Sequence, residues 1–188
     1  MTTASSNPSF AWTIHGERTV YDNPWVQLAL IDVEPPDHSR FEHHLVRLRP
    51  VAVALVVDEQ DRVLMLRRYR FVTRELGWEL PGGFIDEEED AITAAARETE
   101  EETGWRPERL ERLVTFQPMV GMVDAPHTVV TGQDAKWVSA PSDPEEIGEI
   151  AWVPLDGVLD MMTNGQLFGS ATLVGLLYFL SRREAKAT

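Results

Sequence analysis

The sequence predicts an α/β protein in which helices flank a mixed β-sheet and a small antiparallel sheet precedes it. Two observations predict this architecture. Runs of alternating or continuous apolar residues, typical of strands, recur from residue 12 to residue 153, and segments with helical periodicity interrupt or follow them. We find no internal repeat. Turn signals divide the chain into three parts, a flexible tail at residues 1–10, an N-terminal sheet at residues 11–49 and a main domain at residues 50–188.

The first elements are predicted to be strands. Residues 12–21, 25–34 and 41–49 are strand-like, and turn-forming Asp, Asn and Pro residues separate them, so we expect three short antiparallel strands. The following stretch, Val51–Val57, is entirely apolar, and a polar turn joins it to Arg62–Arg70. This pattern predicts a second hairpin with one buried strand.

The later elements follow from shorter patterns. A helix is predicted from Asp90 to Thr103, because Gly104 is well placed to end it. The apolar residues near the C-terminus predict a docked helix, since the run is about half of the roughly 20 residues that span a bilayer. The remaining predicted strands are residues 112–116, 127–131, 136–139 and 150–153, and the remaining predicted helices are residues 155–162 and 170–183.

The composition excludes several classes of protein. With 17 Lys and Arg against 31 Asp and Glu, the 188 residues carry a formal net charge of −14, which disfavours nucleic acids and anionic membranes as partners. The chain has no cysteine, so a metal would be bound by carboxylate, carbonyl or imidazole groups, which favours Mg²⁺ or Mn²⁺. The first ten residues lack the features of a signal peptide, and we expect a cytoplasmic protein.

The excess of acidic residues is concentrated in one segment. Nine carboxylates and a single base, Arg97, lie between residues 86 and 102. Four glutamates crowd the last turn of the predicted helix, where the helix dipole disfavours negative charge. Glu98, Glu101 and Glu102 share one face there and can form a site for a divalent cation. A solvated acidic face is the alternative, but the position at a helix end and the flanking glycines favour the cation site.

The residues of this segment resemble a known family. From Gly83 to Trp105 the chain reads GFIDEEEDAITAAARETEEETGW, which resembles the signature box of the Nudix hydrolases, with mild departures at Thr99 and Trp105. Flanking stretches, among them RRYR, RELGWELPGG and EIAWVPL, are similar to the ADP-ribose pyrophosphatase branch. The resemblance implies a Nudix-type α/β/α sandwich at residues 50–188. It also implies that the sheet at residues 11–49 helps to form a homodimer.

The resemblance also implies roles for residues of the box. Glu98 and Glu102 would bind the metal, Mg²⁺ or alternatively Mn²⁺, with Glu101 as an additional ligand and the backbone carbonyl of Gly82 completing the set. Arg97 would orient these carboxylates by ion pairing. Glu89 would support the site or serve as a partner of Arg97.

Further residues are implied outside the box. The general base would come from the loop PSDPEEIGEI, in which Glu145, Glu146 and Glu149 are the candidates and solvated loop acids are the alternative. Arg67, Arg68 and Arg70, with Arg74, form a basic cluster suited to bind phosphate, to neutralise the metal-site carboxylates, or simply to form surface ion pairs. Trp78, like Trp12 and Trp25, can stack on an adenine or pack in the core or a dimer interface, and Glu79 is grouped with the substrate-binding residues.

These features together imply a function. We expect a Mg²⁺-dependent hydrolase that splits ADP-ribose, or a related nucleoside diphosphate sugar, into a nucleoside monophosphate and a sugar phosphate. The alternatives are a Nudix enzyme for another substrate, such as a nucleoside triphosphate, and a non-catalytic Nudix-fold ligand sensor. One departure bears on the substrate, because residues 117–127 read QPMVGMVDAPH where ADP-ribose enzymes usually have Pro-Gly followed by Ser or Thr and then Glu.

Overall fold

A computed structural model describes residues 10–142 and 148–187 of the chain. The predicted tail lies outside these residues except for Phe10, and so do Glu145 and Glu146. The chain forms two compact units, which we describe separately. One consists of the chain up to Arg49 together with Met119–Ala125, and the other of Pro50–Pro118 together with the chain from Pro126 onward.

The described residues form strands and helices in nearly the predicted order. The strands are β1 (Thr13–Asp22), β2 (Val26–Glu34), β3 (Phe41–Leu48), β4 (Val51–Val57), β5 (Arg62–Arg70), β6 (Glu75–Glu79), β7 (Gly82–Phe84), β8 (Trp105–Phe116), β9 (Val123–Asp124), β10 (His127–Trp137) and β11 (Glu149–Pro154). The helices are α1 (Ala91–Thr103), α2 (Val158–Thr163), which follows a 3₁₀ turn at Leu155–Gly157, and α3 (Ser170–Ala187). None of the helices in the described part is long and apolar enough to cross a membrane.

The N-terminal unit is a single four-stranded sheet in the order β1-β2-β3-β9. Its first three strands are antiparallel, as predicted, and β9 adds a short parallel pairing to β3. Every residue of β1 is exposed, and β2 buries only Ala29 and Val33. Large apolar side chains, among them Ile14 of β1 and Trp25 just before β2, are therefore exposed to solvent.

The larger unit is built on a seven-stranded mixed sheet. The order is β11-β5-β4-β10-β8, with β6 beside β5 and β7 beside β4, and the pairing of β4 with β10 is parallel. Two of the predicted strands, residues 127–131 and 136–139, are parts of the single strand β10, so the predicted break is wrong. Gly132 and Asp134 suggested a loop, but the ladder to β8 continues past both residues, up to the pair Trp137 and Trp105.

Alternate residues of β4 build two cores. Ala52, Ala54 and Val56 pack with the alanines of α1, whereas Val53, Leu55 and Val57 pack with residues of α2 and α3. The side chains between β4 and α1 are small, because Ala91, Ala94 and Ala95 of the helix are buried against them. Small residues on both surfaces bring the helix close to the sheet. The α/β/α arrangement is thereby confirmed.

A close backbone approach fixes the position of β7. Gly82 and Gly83 pair with Val53 and Ala52 of β4. Gly82 has a φ of 156°, and a Cβ atom there would collide with the backbone carbonyl of Ala52, so only glycine fits. The strands β6 and β7 are not predicted from the sequence, because both are short and contain Gly, which has a low β-propensity.

Candidate active site

Both ends of α1 are fixed by local capping. The carboxylate of Asp90 accepts a hydrogen bond from the backbone N–H of Thr93 at 2.8 Å, and such bonds hold the pKa of Asp90 below its usual value. At the other end, Gly104 has a φ of 75° and its N–H donates to the carbonyl of Glu100 at 2.8 Å. The predicted start and end of this helix are therefore confirmed. Its last turn carries the glutamates singled out from the sequence.

Arg97 holds three of the acidic residues. Its Nε lies 2.8 Å from Glu89, and its Nη1 lies 2.7 Å from Glu98 and 3.1 Å from Glu101. Its Nη2 also donates to the carbonyl of Phe84 at 3.2 Å, which ties the group to β7. The hydrogen bond to Glu89 and the pairing with Glu98 raise the pKa of Arg97 above its usual value. Arg97 therefore fixes the orientation of these carboxylates.

Glu102 is the most enclosed of the helix-end glutamates. Arg68 Nη2 donates to its Oε1 at 2.6 Å, and the backbone N–H of Gly82 donates to its Oε2 at 2.8 Å. Burial raises the pKa of Glu102, while the charge of Arg68 and the hydrogen bonds from Arg68 and Gly82 act in the opposite direction. The carboxylate of Glu102 is thus held against Gly82, the first residue of β7. Gly82 is also the residue whose carbonyl is a predicted metal ligand.

Glu98 lies directly over Gly83. A Cβ atom at Gly83 would approach the carboxylate of Glu98 to 2.6–2.7 Å, which is closer than real Cβ atoms come to their neighbours. The side chain of Glu98 is only 17% exposed, whereas that of Glu101 is 49% exposed. The glycine therefore leaves the room that the carboxylate of Glu98 occupies.

Glu100 takes no part in this group. Arg106 holds it with two hydrogen bonds of 2.5 and 2.7 Å, on a more exposed part of the surface. This agrees with the helical geometry, which separates Glu100 from the other three. Arg106 is not among the residues predicted from the sequence, although a basic residue just after a helix end is a recognisable signal for pairing with acidic groups there.

Arginine pairing explains how the helix end tolerates its charge. Each of the four glutamates has an arginine partner, so the unfavourable position at the negative end of the dipole is offset within the chain. Among residues 10–142 and 148–187, no three His, Asp or Glu side chains are placed to hold a metal ion as they stand. The donors near β7 are nevertheless the oxygen ligands that a hard divalent cation prefers, namely two largely buried carboxylates and a backbone carbonyl.

The predicted basic cluster divides between the two faces of the sheet. Arg68 is buried and paired with Glu102, and Arg70 forms two hydrogen bonds to Glu79, one of them at 2.8 Å. Arg67 points the other way, with its guanidinium 6.0 Å from the ring centre of Trp78. Alternation along β5 separates them, and this signal was available in the sequence.

Of the three candidates for the general base, one is described. Glu149 is the first residue of β11, is exposed, and lies 3.6 Å from Arg67 Nη1. Glu145 and Glu146 lie outside the described residues. The described geometry therefore brings Glu149 to Arg67 and not to the carboxylates of α1.

Comparisons with known proteins agree with this architecture. The NUDIX domain family matches residues 47–168, and the chain therefore belongs to the Nudix family. It is a Nudix hydrolase of the ADP-ribose pyrophosphatase-like group, as the resemblance implied.

Individual relatives differ in their activities. The chain is 44% identical over 175 residues to the CMP-5'-(N-acetyl-N-hydroxy-3-aminopropyl)phosphonate hydrolase of Streptomyces rubellomurinus, across 93% of this chain and 85% of that protein. It is 23% identical to the ADP-ribose pyrophosphatase of Bacillus subtilis, across 88% and 90% of the two chains. A crystal structure of an ADP compounds hydrolase matches 96% of this chain and 98% of its own with a TM-score of 0.80 and 21% identity, which supports the fold.

The contact between Gly83 and Glu98 gives a first prediction. Gly83→Ala should lower hydrolase activity at least about tenfold, because the added methyl group displaces the carboxylate of Glu98. The free energy of unfolding should change by less than ~1 kcal/mol, since a flexible side chain can move aside. Steady-state kinetics and urea denaturation measure the two effects.

Two other glycines serve as controls for this prediction. Gly82→Ala meets backbone atoms instead of a side chain and should lose roughly 2 kcal/mol or more of stability. Gly157→Ala has open space around the added atom and should change neither property. Full activity in Gly83→Ala would show that the position of Glu98 does not matter.

Proposed function

We propose that this protein is a Mg²⁺-dependent hydrolase that cleaves the bridge between two phosphorus atoms in a nucleoside diphosphate linked to another group. The products are a nucleoside monophosphate and the phosphorylated remainder. One observation carries the proposal. Within the segment that matches the NUDIX domain, Glu98, Glu102 and Gly82 lie together where α1 ends beside β7.

The charge of the substrate explains why this arrangement suits the reaction. A diphosphate is anionic and repels an attacking hydroxide, so the site must neutralise phosphate oxygens and supply an activated water. A bound divalent ion provides positive charge for both purposes. We propose Glu98, Glu102 and the Gly82 carbonyl as its ligands, with Glu101 as an additional one and Mn²⁺ as an alternative to Mg²⁺.

The protein's own residues position these groups. Arg97 contacts both Glu98 and Glu101 and fixes their orientation, and the Gly82 N–H fixes Glu102. A glutamate of the segment that leads into β11 accepts the proton of the attacking water in this proposal. The candidates are Glu145 and Glu146 in the loop and Glu149 at the first position of β11.

Two substrate classes follow from the relatives. The similarity to ADP-ribose pyrophosphatases supports ADP-ribose or a related nucleoside diphosphate sugar. The higher identity to a CMP-phosphonate hydrolase favours a cytidine monophosphate joined to a phosphonate as the second class. In either case we propose that the substrate binds beside β5 and β6. Arg68, Arg70 and Glu79 are the candidate contacts on the face that carries α1, and Arg67 and Trp78 are the candidates on the opposite face.

We also propose that the protein is a homodimer formed through the N-terminal sheet. The support is the exposure of β1 along its whole length and of large aromatic side chains such as Trp12, Trp25 and Tyr21. Exposed aromatic residues in and beside one sheet are typical of an interface. Sedimentation velocity should therefore give twice the mass of one chain, and a monomer throughout the micromolar range would contradict the proposal.

The function is tested by a substrate panel. The purified protein with Mg²⁺ is incubated with ADP-ribose, a CDP-sugar, a CMP-linked phosphonate and a nucleoside triphosphate, and released nucleotides are separated by chromatography. We expect a nucleoside monophosphate from at least one of the first three compounds. Chelation of the metal should stop the release, and Mg²⁺ or Mn²⁺ should restore it. A clear preference for the triphosphate would contradict the proposed reaction, and tight binding without cleavage would favour a ligand sensor.

A series of Glu→Gln variants tests the assigned residues. Glu102→Gln should lower kcat at least about a hundredfold, because it removes a metal ligand while keeping the size of the side chain. Glu100→Gln is the matched control at the same helix end and should stay within about twofold of the parent protein, since its exposed pairing with Arg106 lies outside the site. Near-normal activity of Glu102→Gln at saturating Mg²⁺ would contradict the metal assignment.

The same substitution ranks the candidates for the general base. Replacement of Glu145, Glu146 or Glu149 by Gln should lower kcat at one position, with little effect on KM. If none of the three variants loses activity, the loop has no role in the proton transfer.

A further inference from the structure

Arg68 and Glu102 form a buried ion pair in the candidate active site. The side chain of Arg68 is 7% exposed, and its Nη2 lies 2.6 Å from Glu102 Oε1. Removal of one partner of such a pair leaves the other charge buried and uncompensated, which is strongly destabilising. Glu102 therefore depends on a positive charge, and Arg68 supplies it within the chain.

The pair is not in its strongest geometry. A guanidinium binds a carboxylate best through two parallel N–H groups. Arg68 reaches Glu102 through Nη2, whereas its Nε is buried and has no hydrogen-bond acceptor within the part of the chain that the structure describes. The second carboxylate oxygen is bound by the backbone of Gly82 instead. This geometry balances the charge of Glu102 and leaves a donor of Arg68 unsatisfied.

We propose that Arg68 is the counter-cation of Glu102 in the metal-free protein and that it competes with the divalent ion for this carboxylate. The inference rests on the proposed function, which makes Glu102 a metal ligand. A divalent ion at Glu102 would lie beside a guanidinium of like charge, in a place where water screens the repulsion weakly. Glu102 would then have to turn its carboxylate from Arg68 toward the ion or to divide an oxygen between the two. Arg68 therefore lowers the metal affinity and keeps the metal-free site folded.

The other two arginines at this helix end do not depend on a single proposed metal ligand as Arg68 does. Arg97 contacts three carboxylates, so it keeps partners when one of them turns to a metal. Arg106 pairs with Glu100 on an exposed surface, outside the proposed ligand set. Arg106 is thus a matched control for the removal of an arginine from a helix-end glutamate.

Metal binding in the absence of substrate tests the proposal. The dissociation constant of Mn²⁺ is measured by electron paramagnetic resonance in slightly alkaline buffer, and thermal unfolding is followed with and without the ion. Arg68→Met should bind Mn²⁺ about tenfold more tightly than the parent protein, a coupling of ordinary size between two sites. Without metal, the Tm of Arg68→Met should be lower than that of the parent protein. Addition of the ion should raise the Tm of this variant by more than it raises that of the parent. Arg106→Met should leave the Mn²⁺ affinity unchanged.

Further variants keep the outcome interpretable. Arg68→Gln removes the charge but retains a hydrogen-bond donor for Glu102. If the methionine variant does not fold, the Mn²⁺ affinity and Tm of Arg68→Gln are compared with those of the parent protein instead. The double variant R68Q/E102Q should bind Mn²⁺ no more tightly than E102Q. If E102Q weakens Mn²⁺ binding but neither Arg68 variant strengthens it, the competition does not exist and this inference is overturned. If E102Q itself leaves the affinity unchanged, the metal assignment of the proposed function fails.

Discussion

The pairing of arginines with the glutamates at the end of α1 is the interaction on which the site depends. Four carboxylates at the negative end of a helix dipole repel one another and disfavour the helix. Arg97, Arg68 and Arg106 offset this charge from three directions, the helix itself, β5 and the start of β8. The same pairs orient the carboxylates. The acidic cluster is therefore compatible with a folded helix before any metal is bound.

The fold brings these partners together through close packing. The alanines of α1 and β4 allow the helix to lie near the sheet, and the glycines of β7 allow a backbone to pass beneath Glu98 and Glu102. A larger side chain at Gly83 would take the space of a carboxylate, and one at Gly82 would collide with the backbone of β4. The small residues of the motif therefore make room for its charged residues. Together they place oxygen atoms beside β7, where these atoms can bind a hard cation.

Part of this arrangement is predictable from the sequence. The spacing of Gly83, Arg97 and Glu102 identifies the family and the helix, because it joins residues that lie close together along the chain. The continuity of β10 past Gly132 is not predictable in the same way, since it depends on the partner strand β8. The pairing of Arg106 with Glu100 has a signal in the sequence, a basic residue just after an acidic helix end, although this signal does not say which glutamate is the partner. The opposite directions of Arg67 and Arg68 are predictable only after the strand β5 has been assigned. Alternation along a strand determines them once the strand is placed.

The central claim is that Glu98 and Glu102, which arginines hold in place, and the carbonyl of Gly82 are the ligands of a divalent cation. A crystal structure of the protein grown with Mn²⁺, with anomalous data that locate the ion, tests it most directly. The account predicts an anomalous peak bounded by the two carboxylates and the carbonyl oxygen of Gly82, with Glu102 turned at least partly from Arg68. A peak elsewhere, with both carboxylates still paired to Arg68 and Arg97 alone, would contradict it.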